Sequence, residues 1–210
     1  MADLEGLKSA IEVGDRAAAV RITSEAVAEE MDARTVLDAM IAAMDVVGAR
    51  FQRNEIFVPE MLISARAMKE ATAVLEPALV AAGVHPEYTA VIGTIQGDLH
   101  DIGKNLVAMM WRGANFEVVD LGTNVGPEAF VTAARQHGAV IIGISALLTT
   151  TMVAMRDVVA AIRAANLGDI KVIVGGAPVT AEFAASIGAD AYAPDAATAV
   201  EVAKTAIGVA

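Results

Sequence analysis

The chain has 210 residues, 56% of them hydrophobic, and a formal charge of −11, so it can bury a real core and is too apolar to remain disordered. Its 15 Lys and Arg are scattered among 26 Asp and Glu, which argues against a nucleic-acid groove and against docking on an anionic membrane, since both need clustered cations. Zero cysteines exclude disulfides, thiolate ligands and a catalytic thiol, leaving His, Asp, Glu or a preformed cofactor for any metal chemistry.

The N-terminal stretch Met1-Ala2-Asp3-Leu4-Glu5 carries neither a basic patch nor a long apolar core. No secretory signal is expected there, and a cytoplasmic location is the default. From Asp3 to about Gly83 the chain is rich in Ala, Met, Leu and Glu without period-two alternation, the pattern of helices. The first is expected over Leu4 to Val13 with Gly14 as its stop, and the second from an Asp15 cap to about Met31. A third starts after Asp32 and places Val36, Leu37, Met40, Ile41, Met44, Val47 and Phe51 at helical spacing. The fourth begins near Pro59 and turns Met61, Leu62, Ala65, Met68, Ala71, Ala73 and Leu75 inward before Pro77 bends or breaks it. Short connections make this an up-and-down four-helix bundle. Phe51, Ile56, Phe57 and Val58 crowd together without helical phase; they either close the bundle or form an apolar lid over a ligand.

Gly83-Val84-His85-Pro86-Glu87 has linker composition, giving a bundle over 1–84 and a second domain over 88–210. Both parts are acidic: 8 basic and 15 acidic residues leave −7 through Tyr88, and 7 and 11 leave −4 beyond it. His85 reads as a solvated linker side chain. Past the linker, β-branched runs alternate with amphipathic stretches. Thr89 to Ile95, Phe116 to Asp120, Ala139 to Ser145, Lys171 to Val174 and Ala191 to Ala193 are expected strands. Gly103 to Arg112, Pro127 to Gln136, Met152 to Ala165, Ala181 to Ile187 and Ala196 to Ile207 are expected helices. The uncharged run Gly138 to Met155 approaches membrane-span length, but Gly143, Ser145 and three threonines interrupt it, so it reads as strand, loop and helix start. Five alternations predict an α/β domain with a five-stranded parallel sheet covered on both faces, in the flavodoxin-like, Rossmann-type order 2-1-3-4-5.

Ligands of such sheets gather at the carboxyl ends of the strands. Three loops converge there: Gly97-Asp98-Leu99-His100-Asp101-Ile102-Gly103, Ser145 to Thr151, and Gly175-Gly176-Ala177-Pro178. The first is no P-loop, because five residues separate Gly97 from Gly103-Lys104 and Asn105 replaces the hydroxyl that would hold magnesium; GxGxxG is also absent. Anion binding at the following helix N-terminus stays open. A bare divalent ion would find at most three crowded ligands in His100, Asp98 and Asp101, whereas a macrocycle with four equatorial nitrogens needs one axial histidine, with Asp98 fixing its tautomer. His137 before Gly138 reads as a helix terminus.

Asp98-Leu99-His100-Asp101-Ile102-Gly103 matches the DxHxxG signature of base-off/His-on cobalamin-binding domains, Ser145-Ala146-Leu147 their SxL element and Gly175-Gly176 their GG element, in the family's order. The helical half resembles the cap of methionine synthase-type modules across Phe57-Val58-Pro59-Glu60-Met61-Leu62 and Ser64-Ala65-Arg66-Ala67-Met68. As a whole the chain is similar to the stand-alone corrinoid proteins of methanol, methylamine or methoxyarene methyltransferase systems. The resemblance implies cobalamin as cofactor, with His100 displacing its dimethylbenzimidazole base as the lower cobalt ligand. It makes His100, Asp98 and Thr151 a proton path, and Gly97, Leu99, Asp101, Ile102 and Gly103 the surrounding cofactor loop. Ser145, Leu147, Thr149, Gly175, Gly176 and Tyr192 would line the nucleotide-tail pocket, and Phe57 would shield the upper, methyl-carrying face.

It further implies a methyl carrier cycling between Co(I) and methyl-Co(III), not catalytic alone, with a substrate-specific methyltransferase as donor partner. An acceptor methyltransferase using tetrahydrofolate or a thiol, a reductive activase, and a hinge at Gly83 to Pro86 complete the expectation. The alternatives are the cobalamin subunit of a mutase and a cobalamin-dependent sensor or regulator. A fused cap speaks against the first, and the lack of a DNA-binding head against the second.

Overall fold

The computed structural model describes residues 2–209. They form two compact units, one ending at Pro86 and one running from Glu87 onward apart from the turn Gly113–Asn115.

The first unit consists of α1 (Leu4–Glu12), α2 (Arg16–Ala28), α3 (Ala33–Gln52) and α4 (Val58–Ala81). Three aspartates start three of them. The Asp3, Asp15 and Asp32 carboxylates accept the backbone N–H of Gly6, Ala18 and Thr35 at 2.9, 3.0 and 2.8 Å, contacts worth about 1 kcal/mol each. Helix α2 stops at Ala28, short of the expected Met31, because Glu30 turns to φ 53. In α4 the residues facing the core are Met61, Ser64, Ala65, Ala67, Met68, Ala71, Leu75 and Leu79. Leu62 and Ala73, expected inward, are exposed: Leu62 lies one position past buried Met61, and Ala73 lies midway between buried Ala71 and Leu75, on the opposite side of the helix. Nor does Pro77 end the helix, which runs on to Ala81. Proline deprives only the Ala73 carbonyl of its partner, and Ala73 is exposed, so water can take that place.

The second unit alternates β1 (Tyr88–Thr94), α5 (Ile102–Gly113), β2 (Phe116–Asp120), α6 (Pro127–His137) and β3 (Ile141–Ser145). It continues with α7 (Thr149–Met152), α8 (Met155–Ala164), β4 (Lys171–Gly175), α9 (Ala181–Ile187), β5 (Ala191–Ala193) and α10 (Ala196–Ala206). All pairings are parallel, in the order β2-β1-β3-β4-β5. The expected single helix Met152 to Ala165 is two. Bonds from Ala154 N–H to Thr151 O at 3.0 Å and from Arg156 N–H to Val153 O at 3.3 Å tighten the chain between them. Among the described residues no helix is long and apolar enough to cross a membrane.

Two glycines at the centre of the sheet admit one aromatic ring each. Ile92 pairs with Gly143, and Gly93 with Ile144, so the two glycines face opposite sides of the pleat. A Cβ on Gly93 would lie 2.9 Å from the Phe130 ring of α6, and one on Gly143 would lie 2.7 Å from the Trp111 ring of α5. Both rings are fully buried, and Trp111 Nε1–H donates to Ala199 O of α10 at 2.9 Å. Helices α6, α8 and α9 thus cover one face, and α5 and α10 the other. At the carboxyl edge the register aligns Thr94, Ser145, Gly175 and Ala193 in one row, so the ends of four strands present their loops side by side. Gly143→Ala is expected to lower stability by about 2 kcal/mol through overpacking against the rigid indole, read as a reduced urea midpoint with unchanged slope; an unchanged midpoint would show that the ring moves freely.

Candidate functional site

The loop from β1 to α5 is held from below. Fully buried Thr94 donates its hydroxyl to His100 O at 3.0 Å, and Asp98 N–H donates to Ile95 O at 3.1 Å. These bonds turn the Asp98 side chain inward, where it has no exposed surface. Oδ1 accepts His100 N–H at 3.0 Å and lies 2.7 Å from His100 Nδ1. Oδ2 accepts Leu147 N–H at 2.8 Å, Leu148 N–H at 3.3 Å and the Thr151 hydroxyl at 2.9 Å. Burial alone would push the Asp98 carboxyl up. The donors from Leu147, His100 and Thr151 outweigh it and hold the carboxyl well below the usual carboxylate range.

An ionised carboxylate only accepts, so Nδ1 must be the protonated nitrogen of His100. In the neutral ring the lone pair is therefore on Nε2, which has no hydrogen-bond partner among the described residues, on a side chain that is 53% exposed. Around the imidazole the loops expose apolar side chains: Leu99 is 73% and Ile102 77% exposed, with Leu147, Leu148 and Val153 also open. Exposed large hydrophobic residues concentrated at one edge mark a binding surface. No three His, Cys, Asp or Glu side chains among the described residues come together as a metal-binding set, so the single imidazole suits a metal that brings its other ligands with it. A flat, largely apolar macrocycle with an open axial position fits this donor and this rim.

The structure brings Gly97, Asp98, Leu99, His100, Asp101, Ile102, Gly103, Ser145, Leu147, Thr149, Thr151, Gly175 and Gly176 to the one edge. Thr149 is exposed at the start of α7, and Ser145 is half-buried at the end of β3. The paired glycines are explained by the protein itself. A Cβ on Gly175 would lie 2.7 Å from Ala193 O, and Gly176, at φ 122, would press one to 1.9 Å from Ala146 O. Tyr192, on β5, packs partly against the core cluster. Phe57 belongs to the helical unit, where it is 64% exposed at the start of α4 and its N–H donates to Glu60 Oε2 at 3.1 Å. Backbone roles escaped the sequence: Leu147 serves Asp98 through its N–H, which no side-chain pattern signals. Lys104 was also missed. It is 2% exposed, and its Nζ donates to Asp120 Oδ1 at 2.6 Å and Asn105 Oδ1 at 2.7 Å.

Comparison with known proteins gives one consistent answer. Residues 88–203 match a B12 binding domain model, and residues 3–76 match a second B12 binding domain model. The chain is 40% identical to a corrinoid protein of Desulfitobacterium hafniense over 213 residues, covering 99% of each. It is 39% identical to dimethylamine corrinoid protein 3 of Methanosarcina acetivorans over 211 residues, covering 97% of this chain and 98% of the other. Its fold is similar to a chain in the crystal structure of the methanol:cobalamin methyltransferase complex of Methanosarcina barkeri. That match has a TM-score of 0.86 and 29% identity, and covers 98% of this chain and 79% of that one.

The Asp98 network makes acid stability measurable. An unfolded aspartate titrates near about 3.9. The folded group titrates lower, so its contribution is complete above that value and drains away as pH falls below it. Asp98→Asn is expected to lose about 1–3 kcal/mol at neutral pH, by setting an amide against N–H donors, and to show a shallower decline between pH 5 and 3. Equal slopes in urea titrations across that range would contradict this account of the carboxylate.

Proposed function

The chain belongs to the corrinoid proteins of methyltransferase systems, which bind cobalamin, and on that premise we propose that it carries a methyl group between two methyltransferases. When bound, cobalamin supplies the cobalt nucleophile that takes up and gives back the methyl group. The chain's own residues hold and tune that group. His100 would hold the cobalt of cobalamin through Nε2, in place of the cofactor's own benzimidazole. Asp98 keeps the proton on Nδ1, which orients the ring and leaves the Nε2 lone pair as the donor. Leu99, Ile102 and Leu147 give the macrocycle an apolar seat. Gly97, Asp101 and Gly103 complete the loop beneath it, and Ser145, Thr149, Gly175, Gly176 and Tyr192 receive the nucleotide tail. The helical unit, 1–84, and the α/β unit, 88–210, are the carrier's two domains, joined by the Gly83 to Pro86 linker.

The observation that carries this reading is an Nε2 without a partner among the described residues, on a ring whose other nitrogen is tied to a buried, ionised carboxylate. Five donors keep Asp98 ionised, with Thr151 steadying the charge from the side away from the imidazole. The donor-side partner is a methyltransferase, as the relative found within a methanol:cobalamin methyltransferase complex and the relatives named for dimethylamine suggest. The acceptor side is a second methyltransferase using tetrahydrofolate or a thiol, with a reductive activase to restore the lowest oxidation state.

Reconstitution with methylcobalamin tests the ligation: the wild-type spectrum is expected to show the cofactor ligated by protein imidazole, and His100→Ala to lose that signature while still folding. An unchanged spectrum in the variant would refute the axial assignment. Methyl carriage is tested by mixing the reduced, loaded protein with candidate methyltransferases and their methylated donors. Appearance of the methyl-cobalt absorption with one partner supports the proposal, and its absence with the full set of partners encoded beside the gene overturns it.

A further inference from the structure

The histidine loop owes its position to a turn that lies outside all three motifs, the segment Asp120–Asn124 that begins at the last residue of β2. Asn124 grips the loop twice. Its Oδ1 accepts Gly97 N–H at 2.9 Å, and its own N–H donates to Asp98 O at 3.0 Å. The amide orientation follows from the partner, since only the oxygen can face an N–H donor. The grip needs Asn124 at φ 57, a left-handed conformation that asparagine tolerates better than most residues. At the other end of the loop the same turn holds Lys104: Asp120 Oδ1 accepts Lys104 Nζ and also Gly122 N–H at 2.9 Å. The turn is itself tied to β1 by Thr94 N–H to Gly122 O and Val125 N–H to Thr94 O, both 2.9 Å. Residues 97–104 are therefore clamped at both ends by one five-residue turn.

We infer that Asn124 is a positioning residue for His100, setting the height and tilt of the imidazole through its double hold on Gly97 and Asp98. This rests on the proposed role of His100 as axial ligand. Gly97, at φ 86, is the flexible point of the loop; without an acceptor on its N–H, the Gln96–Gly97 peptide is free to rotate, and the chain leading into Asp98 loses one of its two ties to Asn124. The side chain of Asn124 is solvent-facing, so its effect is on geometry more than on stability.

Asn124→Gly keeps the backbone conformation and deletes the acceptor, whereas Asn124→Asp keeps an acceptor. In the cofactor-free protein, the His100 Nδ1–H proton resonance is expected to be sharp in the wild type and in Asn124→Asp, and broadened by exchange in Asn124→Gly. With methylcobalamin, Asn124→Gly is expected to show an imidazole-ligated fraction about three- to tenfold lower in equilibrium constant, the effect of one hydrogen bond, with rescue in Asn124→Asp. A resonance and a ligation equilibrium that are both unchanged in Asn124→Gly would overturn the inference. Failure of the axial assignment itself looks different: His100→Ala would then leave the wild-type spectrum intact, while the cofactor-free resonance still reports on Asn124.

Discussion

A buried carboxylate with five donors around it is the contact on which the α/β unit's chemistry turns. Asp98 joins two loops that are far apart in sequence, meeting His100 through Oδ1 and Leu147, Leu148 and Thr151 through Oδ2. A lone buried charge would cost several kcal/mol; here the donors offset that cost and keep the carboxyl ionised at neutral pH. The result is a histidine with a defined tautomer whose free nitrogen faces outward. Removing one donor weakens the arrangement, while removing the carboxylate would orphan all of them.

The sheet supplies the alignment that makes this contact possible. Parallel pairing places Thr94, Ser145, Gly175 and Ala193 in a single row, so each following loop starts at the same level. Neighbouring chain ends then approach so closely that Gly175 and Gly176 have no room for a side chain against Ala193 O and Ala146 O. The glycine pair, which looks like an adaptation to a bulky ligand, is already required by the packing of strand ends. Backbone close approach and an exposed apolar rim together leave a shallow seat suited to a large flat group.

Much of this was legible in the sequence because the signals were local and periodic. The strands β2 and β5 and helix α9 have the bounds expected from their residues, and the order β2-β1-β3-β4-β5 follows from five right-handed alternations. What was not legible depended on tertiary partners. Pro77 passes through α4 because its orphaned carbonyl is exposed, which composition cannot reveal. The helix expected from Met152 starts instead at Thr149, after which Thr151 turns its hydroxyl to Asp98 across 53 positions of sequence. Counting apolar residues turns Leu62 and Ala73 inward, whereas the buried row runs through Ser64, whose hydroxyl donates to Glu12 O at 3.0 Å. Asn124 and Lys104 act through partners on another strand end, and neither announces itself in a motif.

In the proposed carrier a histidine nitrogen of this chain, rather than the cofactor's own base, holds the cobalt. Electron paramagnetic resonance of the Co(II) form, loaded into protein labelled at every histidine with nitrogen-15, reads that nitrogen directly. A change of the axial nitrogen splitting from a triplet to a doublet on labelling is the predicted result. A triplet that persists in the labelled protein would mean that the cofactor's own base still holds the metal.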